Sequence, residues 1–369
     1  MRITTKYITD KLDNIPKSIY AFTKDFLIFD IETTGFSREN EIIYMIGCIC
    51  KTDRGYEYYN IFAENPSQEY EVIEYFFKLL KNIDCVIHFN GNRFDIPFLL
   101  ARAKKHHIKD QLSHIESIDV YDLLRPFRTS LRFPDLKLDT IQDQLGYRRK
   151  DLYNGGDLIQ VYHNYAQQPY EPYYELLVLH NEEDVEGMIN LLPLIDVIYL
   201  IDEIIYHQRA VFLEMIQDTT QLKVIYTLQQ NVIIDFKLFS KCGSQMILTK
   251  DSNKLELLLP LQEDEKNFFF DNYKDYMYIL ANDEVMHKTI GNFIPAHQKR
   301  KAKKAECYVS HPGLFIPIFL CGFKKEHDKR IFKDDLRSKD AYVIVSSELD
   351  QGFYKDQLSG FLKVCKGLK

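Results

Sequence analysis

The run Phe26-Leu-Ile-Phe-Asp-Ile-Glu-Thr-Thr-Gly35 constrains this chain more than any other segment. Phe26 to Ile31 is short, apolar and partly β-branched, so it reads as a buried central strand. A carboxylate in such a strand is costly unless a metal ion or a base neutralises it. Asp30 and Glu32 stand two apart and therefore point to one face. Thr33, Thr34 and Gly35 end the strand, and Gly35 is free to take a turn conformation closed to other residues. Two acids on one face at a strand end read as a metal platform. On this motif alone, a plain strand running into a solvated loop is an equal alternative.

Two later segments repeat the pattern. Cys85-Val-Ile-His-Phe89 reads as a strand, Asn90-Gly91-Asn92 breaks it, and Phe94 to Lys105 has helical spacing with Pro97 in the first turn. Asp95 thus stands at a helix start beside a strand end. Taken alone, Asp95 or Asn92 reads more simply as a helix cap. Tyr173 to Ile205 has a long helical pattern with a break expected near Pro193. His180 and Asp184 are four apart within it, on one face and one turn from each other. Glu182 and Glu183 fall on other faces and are expected to be solvated. A His and an Asp at this spacing would ordinarily be a surface pair; the companion acids change that reading.

The order Asp-x-Glu, then Asn-x-x-x-Phe-Asp, then a helix with His and Asp resembles the DEDD (DnaQ-like) 3′→5′ exonucleases of the ribonuclease-H-like fold. Leu136-Lys-Leu-Asp-Thr-Ile-Gln-Asp-Gln-Leu-Gly-Tyr147 and Gly155-Gly156 make it similar to the YprB-like, RNase_H_2 subgroup. The resemblance covers about 26–195. Histidine-type enzymes of that superfamily place four residues between the His and the last Asp. This chain has three, the tyrosine-type spacing, with His in the Tyr position. The resemblance implies that Asp30, Glu32, Asp95 and Asp184 hold two Mg²⁺ or Mn²⁺ ions, with Asp30 shared between them. It also implies that His180 is the general base. Hard oxygen ligands suit those ions better than zinc. Thr33, Thr34, Asn90 and Asn92, which flank the acids, are expected to touch nucleic acid.

Charge does not announce a nucleic-acid partner, since the net value is −7. Residues 1–200 hold 22 Lys and Arg against 31 Asp and Glu; residues 201–369 hold 25 against 23. An acidic catalytic half is expected where carboxylates await metal, and local basic runs then supply phosphate contacts. The candidates are Arg125, Arg128 and Arg132; Arg148, Arg149 and Lys150; and Lys299, Arg300 and Lys301 with Lys303 and Lys304. Each run by itself also reads as a solvated loop. Seven cysteines without paired zinc spacing read as reduced thiols of a cytoplasmic protein. No run is long enough to span a membrane, and the N-terminus lacks a secretory stretch.

The expected architecture is α/β: a ribonuclease-H-like mixed sheet flanked by helices, plus a C-terminal, mainly antiparallel β domain. Residues 1–25 read as a polar leader, 26–205 as the exonuclease domain, and 206–369 as a β-rich accessory domain with a nucleic-acid-binding role. Strand-like runs occur at 221–228, 232–239, 245–249, 254–259, 267–271, 276–280, 307–310 and 314–319, while 291–304 reads as a helix or basic loop. Phe268, Phe269, Phe270, Tyr273, Tyr276 and Tyr278 could stack bases, although a Phe- and Tyr-rich core is the simpler reading. Three functions compete. The first is a DNA 3′→5′ exonuclease working in repair beside a helicase. The second is the same chemistry on RNA ends. The third is a binding module that has lost catalysis. Four intact carboxylates favour the enzymes over the module.

Overall fold

The structure is a computed structural model that describes residues 1–8, 12, 25–53, 55–150, 153, 155–322 and 330–368. Most of the expected leader (9–11 and 13–24) lies outside the described residues, as does Arg54 in the turn Asp53-Arg54-Gly55, where the sequence predicts a hairpin between strands near 42–50 and 56–63. The chain divides into two compact units: Met1–Arg128 with Arg132–Leu200, and Thr129–Leu131 with Ile201–Lys369.

Unit 1 is built on six strands: β1 (Arg2–Tyr7), β2 (Phe26–Thr33), β3 (Ile43–Thr52), β4 (Gly55–Phe62), β5 (Cys85–His88) and β6 (Glu116–Asp119). They stand in the order β1-β4-β3-β2-β5-β6. β2, β3 and β4 form an antiparallel meander, whereas β5 and β6 run parallel to β2. Parallel strands need crossover connections. Helix α1 (Glu69–Leu79) supplies the one before β5, and α2 (Asp95–Lys105) the one before β6. After β6 come three short helical segments, then α3 (Leu138–Gln144), α4 (Gly155–Gln167), α5 (Glu171–Ile189) and α6 (Leu192–His207). The helix expected over 173–205 is thus two helices, parted just before Pro193. Pro193 lacks the N–H that would continue the ladder and restricts the residue before it.

The core forms because β2 and β3 are apolar on both faces and helices cover them. Tyr44 of β3 stacks on Tyr162 of α4 at 4.1 Å, and Phe62 of β4 meets Tyr162, Tyr165 and Tyr174. One expectation is corrected here. Arg2–Tyr7 is not a leader but the edge strand, paired antiparallel with β4 from Arg2↔Phe62 to Tyr7↔Glu57. Its Ile3, Thr4, Thr5 and Tyr7 all favour extended backbone. Arg2 forks onto Glu171 and lies 3.7 Å over the Tyr174 ring, and Lys6 pairs with Glu182 and Glu186. The strand therefore anchors α5, the helix that carries His180 and Asp184.

Unit 2 contains a five-stranded sheet, two three-stranded sheets and a closing helix. All its strand pairs are antiparallel. The runs expected at 307–310 and 314–319 are one strand, Tyr308–Pro317. Its Pro312 faces Glu265 on one neighbour, while the other neighbour pairs only with Phe315–Pro317. The missing N–H of Pro312 therefore costs no ladder bond. The reading of 291–304 as helix or loop is corrected in part, since Lys299–Lys301 is a strand. Of the run 232–239, only Phe236–Phe239 is a strand. Helix Gln351–Cys365 was not anticipated; Asp350 caps it by accepting from the Phe353 amide at 2.7 Å.

Candidate active site

Asp30 and Glu32 are held by the pairing of β2. Opposite them on β3 stand Gly47 and Met45, and a register shift follows between Glu32 and Thr33. On its other side β2 pairs with β5 only through Phe26–Ile28. Beyond that point the Ile31 amide donates to Asp95 Oδ1 at 3.2 Å. Asp95 thus stands in for a strand partner, because a buried N–H must find an acceptor.

The turn before α2 places Asp95. Asn90 has φ of +60°, and Asp119 at the end of β6 accepts from the amides of Asn90 (2.8 Å) and Asn92 (3.1 Å). Gly91 sits against the His88 imidazole, where a Cβ would come 2.6 Å from Nδ1. That close approach, more than flexibility, requires glycine. Pro97 falls in the first turn of α2, where no N–H is needed.

Helix α5 brings the remaining groups. His180 Nε2 lies 3.8 Å from Glu32 Oε1 and 3.6 Å from Asp184 Oδ2. One ligand atom each from Glu32, His180 and Asp184 fall within 4.8 Å of one another. Arg149 donates from Nη1 to Asp184 Oδ1, and its Nε is 3.8 Å from Glu183. Asn181, next to His180, donates from Nδ2 to Asp30 Oδ2 at 3.1 Å.

The electrostatics show how closely these acids crowd. Burial pushes Asp30 well above the ordinary carboxylate range, and the charges of Asp95, Asp184 and Glu32 push it further. Burial raises Glu32 to about 7 against the pull of His180, and Asp184 and Asp95 add to the rise. Asp95 is also held at about 7, first by burial and then by Asp119 and Asp184, although backbone N–H groups oppose the shift. Like charges brought together in a buried place favour protonation, and a bound cation would reverse that. The donors are mostly carboxylate oxygens, which suit a hard divalent ion. The residues present therefore fit a hard divalent ion of the kind that the resemblance implies.

The five expected acid and base residues, Asp30, Glu32, Asp95, His180 and Asp184, thus converge on one place. The expected nucleic-acid contacts divide. Arg149 reaches the cluster, while Arg148 is exposed and the Lys150 amide donates to Glu183. Thr33 and Thr34 donate their hydroxyl protons within the protein, to the Gly35 carbonyl and Glu41. The Asn92 side chain accepts from Ser117 and donates to Asp122, and Asn90 accepts from Arg93. In unit 2, Lys299 caps the carbonyls of Gly291 and Asn292, and Arg300 forks onto Glu306 at 2.7 and 2.8 Å. The six aromatic residues expected to stack bases are half-buried. Phe268, Phe269, Phe270 and Tyr276 pack on neighbouring rings, and Arg300 lies over Tyr278.

Sequence reading passed over Asn181, Asp119 and the contact of Arg149 with Asp184. A signal for Asn181 exists in hindsight: a poor helix former stands in the middle of a helix, beside a candidate catalytic residue.

A mixed sheet in this order, flanked by helices and carrying these acids at its centre, defines a ribonuclease-H-like domain. Residues 27–196 match the RNase_H_2 family model of the RNase H superfamily. Its fold is of the nuclease-type hydrolase kind. Among curated proteins none matches the chain. Solved structures that resemble it include the family B DNA polymerase of the archaeon Pyrobaculum calidifontis (17% identity, TM-score 0.39, covering 68% of this chain and 35% of the polymerase). Another is exonuclease I (13%, 0.33, 60% and 56%). A third is the zinc-bound complex of E. coli exonuclease I with single-stranded DNA (12%, 0.31, 60% and 55%). The chain spans about a third of that polymerase and a little over half of exonuclease I.

Proposed function

We propose that unit 1 is a metal-dependent 3′→5′ exonuclease hydrolysing phosphodiester bonds of single-stranded DNA in repair. The observation that carries this reading is the enclosure of Asp30, Glu32 and Asp95 beside Asp184 and His180: burial first, and the charges of neighbouring acids second, lift these three out of the usual carboxylate range. These four would hold two Mg²⁺ or Mn²⁺. When bound, such a pair supplies an activated water and stabilises charge on the phosphate and the leaving oxygen. His180 is the general base: its Nε2 already faces the carboxylates and takes the proton of the attacking water. Asp95 keeps its place through the Ile31 amide, and Asp184 through its helix. Arg149, flanked by Arg148 and Lys150, holds a substrate phosphate. Thr33, Thr34, Asn90 and Asn92 border the bound strand end through their place beside the acids. Polarity, the preference for DNA and a helicase partner follow the family resemblance.

One observation favours a second reading of the ligand set. The tight grouping of Glu32, His180 and Asp184 would let His180 bind a single ion as a ligand instead of acting as the base.

The test of function is digestion of 5′-labelled single strands of DNA and RNA with Mn²⁺ or Mg²⁺. A ladder of products shortened from the 3′ end, formed from DNA and abolished by chelator, is expected. A single internal cut, or no cut at all, would contradict the proposal; equal digestion of RNA would overturn the DNA preference.

A further inference from the structure

The site carries an oriented chain of hydrogen bonds behind its carboxylates. Asn181 has no exposed surface. Its Nδ2 donates to Asp30 Oδ2 at 3.1 Å. Its Oδ1 accepts from the Tyr58 hydroxyl at 3.1 Å. The Tyr58 oxygen in turn accepts from Asn60 Nδ2 at 3.4 Å. An amide oxygen can only accept, so Tyr58 must donate to it. With Oδ1 on Tyr58, the amide nitrogen faces Asp30, whose carboxylate can accept from it. The backbone is cut to fit: a Cβ on Gly47, the residue paired with Asp30, would lie 1.7 Å from Asn181 Oδ1 and 3.1 Å from the Tyr58 oxygen. β3 therefore carries glycine where Asn181 must cross to reach β2.

We propose that Asn181 is a positioning residue for the metal carboxylate Asp30, oriented by Tyr58 and admitted by Gly47. It fixes Asp30 in the rotamer that binds the ions. It also supplies a neutral N–H donor, which holds that carboxylate without occupying its charge as a Lys or Arg would. Partners of this kind set ligand geometry, and their loss costs metal affinity.

This inference rests on the proposed metal site, and its test separates the two. Mn²⁺ binding is measured by calorimetry, without nucleic acid, on the wild type and on the Asp30→Asn, Asn181→Leu, Tyr58→Phe and Gly47→Ala variants. Thermal unfolding of each metal-free protein confirms folding. Asn181→Leu should weaken Mn²⁺ binding about 10- to 100-fold. Tyr58→Phe, which removes only the orienting donor, should weaken it about two- to tenfold. Gly47→Ala leaves every polar group in place and should mimic Asn181→Leu. If it does not fold, Tyr58→Phe serves as the second variant. Unchanged affinity in folded Asn181→Leu, with binding lost in Asp30→Asn, would overturn the positioning role and leave the metal site standing. No Mn²⁺ binding by the wild type would overturn both.

Discussion

Unit 1 buries two sets of carboxylates and treats them in opposite ways. Glu69, at the start of α1, accepts from Arg102 at 2.6 and 2.7 Å and from the Ile43 amide at 2.9 Å, and lies 2.7 Å from His106 Nε2. Burial pushes its pKa up, but these partners overcome that and hold it below the ordinary range. Asp30, Glu32 and Asp95 are also enclosed, but among the described residues no Arg answers them as Arg102 answers Glu69, and burial with the charges of neighbouring acids raises their pKa values. Helix α2 serves both places, carrying Arg102 to Glu69 and Asp95 to the cluster. A buried acid with its charge answered holds the fold together, whereas a group of acids left to repel one another stores a demand for a cation. Unit 2 follows the first rule: its buried Lys266 sits between Asp264 and Asp334 at 3.0 and 2.6 Å.

The comparison can be broken from either side. The largest effect is expected at the cluster. Asp30→Asn should abolish cleavage, a loss on the order of a thousandfold or more, as removal of several kcal/mol of charge stabilisation requires. The metal-free protein should meanwhile unfold at the same or a higher temperature, because an amide needs no proton to stay neutral beside the other acids. A fall in Tm would show that Asp30 is structural in the way Glu69 is.

His180→Ala should slow turnover by about 10² to 10⁴. Its Mn²⁺ affinity should stay close to that of the wild type. A large loss of affinity would make His180 a ligand and favour the single-ion reading. At the answered site, Glu69→Ala should cost about 3–5 kcal/mol of stability, because it leaves Arg102 buried and unpaired. Denaturant unfolding measures this, and the activity of the folded fraction should be unchanged.

The smallest effect is a pH dependence of opposite sign at the two places. Glu32 and Asp95, raised to about 7, keep protons that the unfolded chain has already released. The metal-free protein should therefore lose stability as pH rises from the ordinary carboxylate range through about 7. Glu69, with its lowered pKa, contributes stability above its unfolded value that is lost as pH falls through the folded one. Mn²⁺ replaces the cluster's protons, so the Tm gained on adding it should grow between about pH 5 and pH 8. A gain independent of pH would contradict protonated acids at the site.

Much of this site was legible in the sequence because its motifs are local. A strand places Asp30 and Glu32 on one face, a helix places His180 and Asp184 on one face, and Asn90-Gly91-Asn92 announces the turn before Asp95. What was not legible depends on contacts between distant segments. Asn181 matters only because Gly47 leaves a gap opposite Asp30, and neither residue signals the other along the chain. Arg149 read as one of several basic residues until its guanidinium was found on Asp184. Arg2–Tyr7 read as leader because a six-residue edge strand gains meaning only from β4 and from Glu171, far along the chain. In unit 2 the short strands were caught where they alternate, and missed at Val211–Gln217, Glu284–His287 and Tyr342–Ile344, where only pairing defines them. Among the described residues no helix is long and apolar enough to cross a membrane, and all seven cysteines are free.

The central claim is that four carboxylates await a pair of divalent ions. Crystals of the protein soaked in Mn²⁺ and measured for anomalous scattering test it most directly. Two peaks bridged by Asp30 and ringed by Glu32, Asp95 and Asp184, with His180 close by but unbound, are expected. One peak held by Glu32, His180 and Asp184, or none, would contradict it.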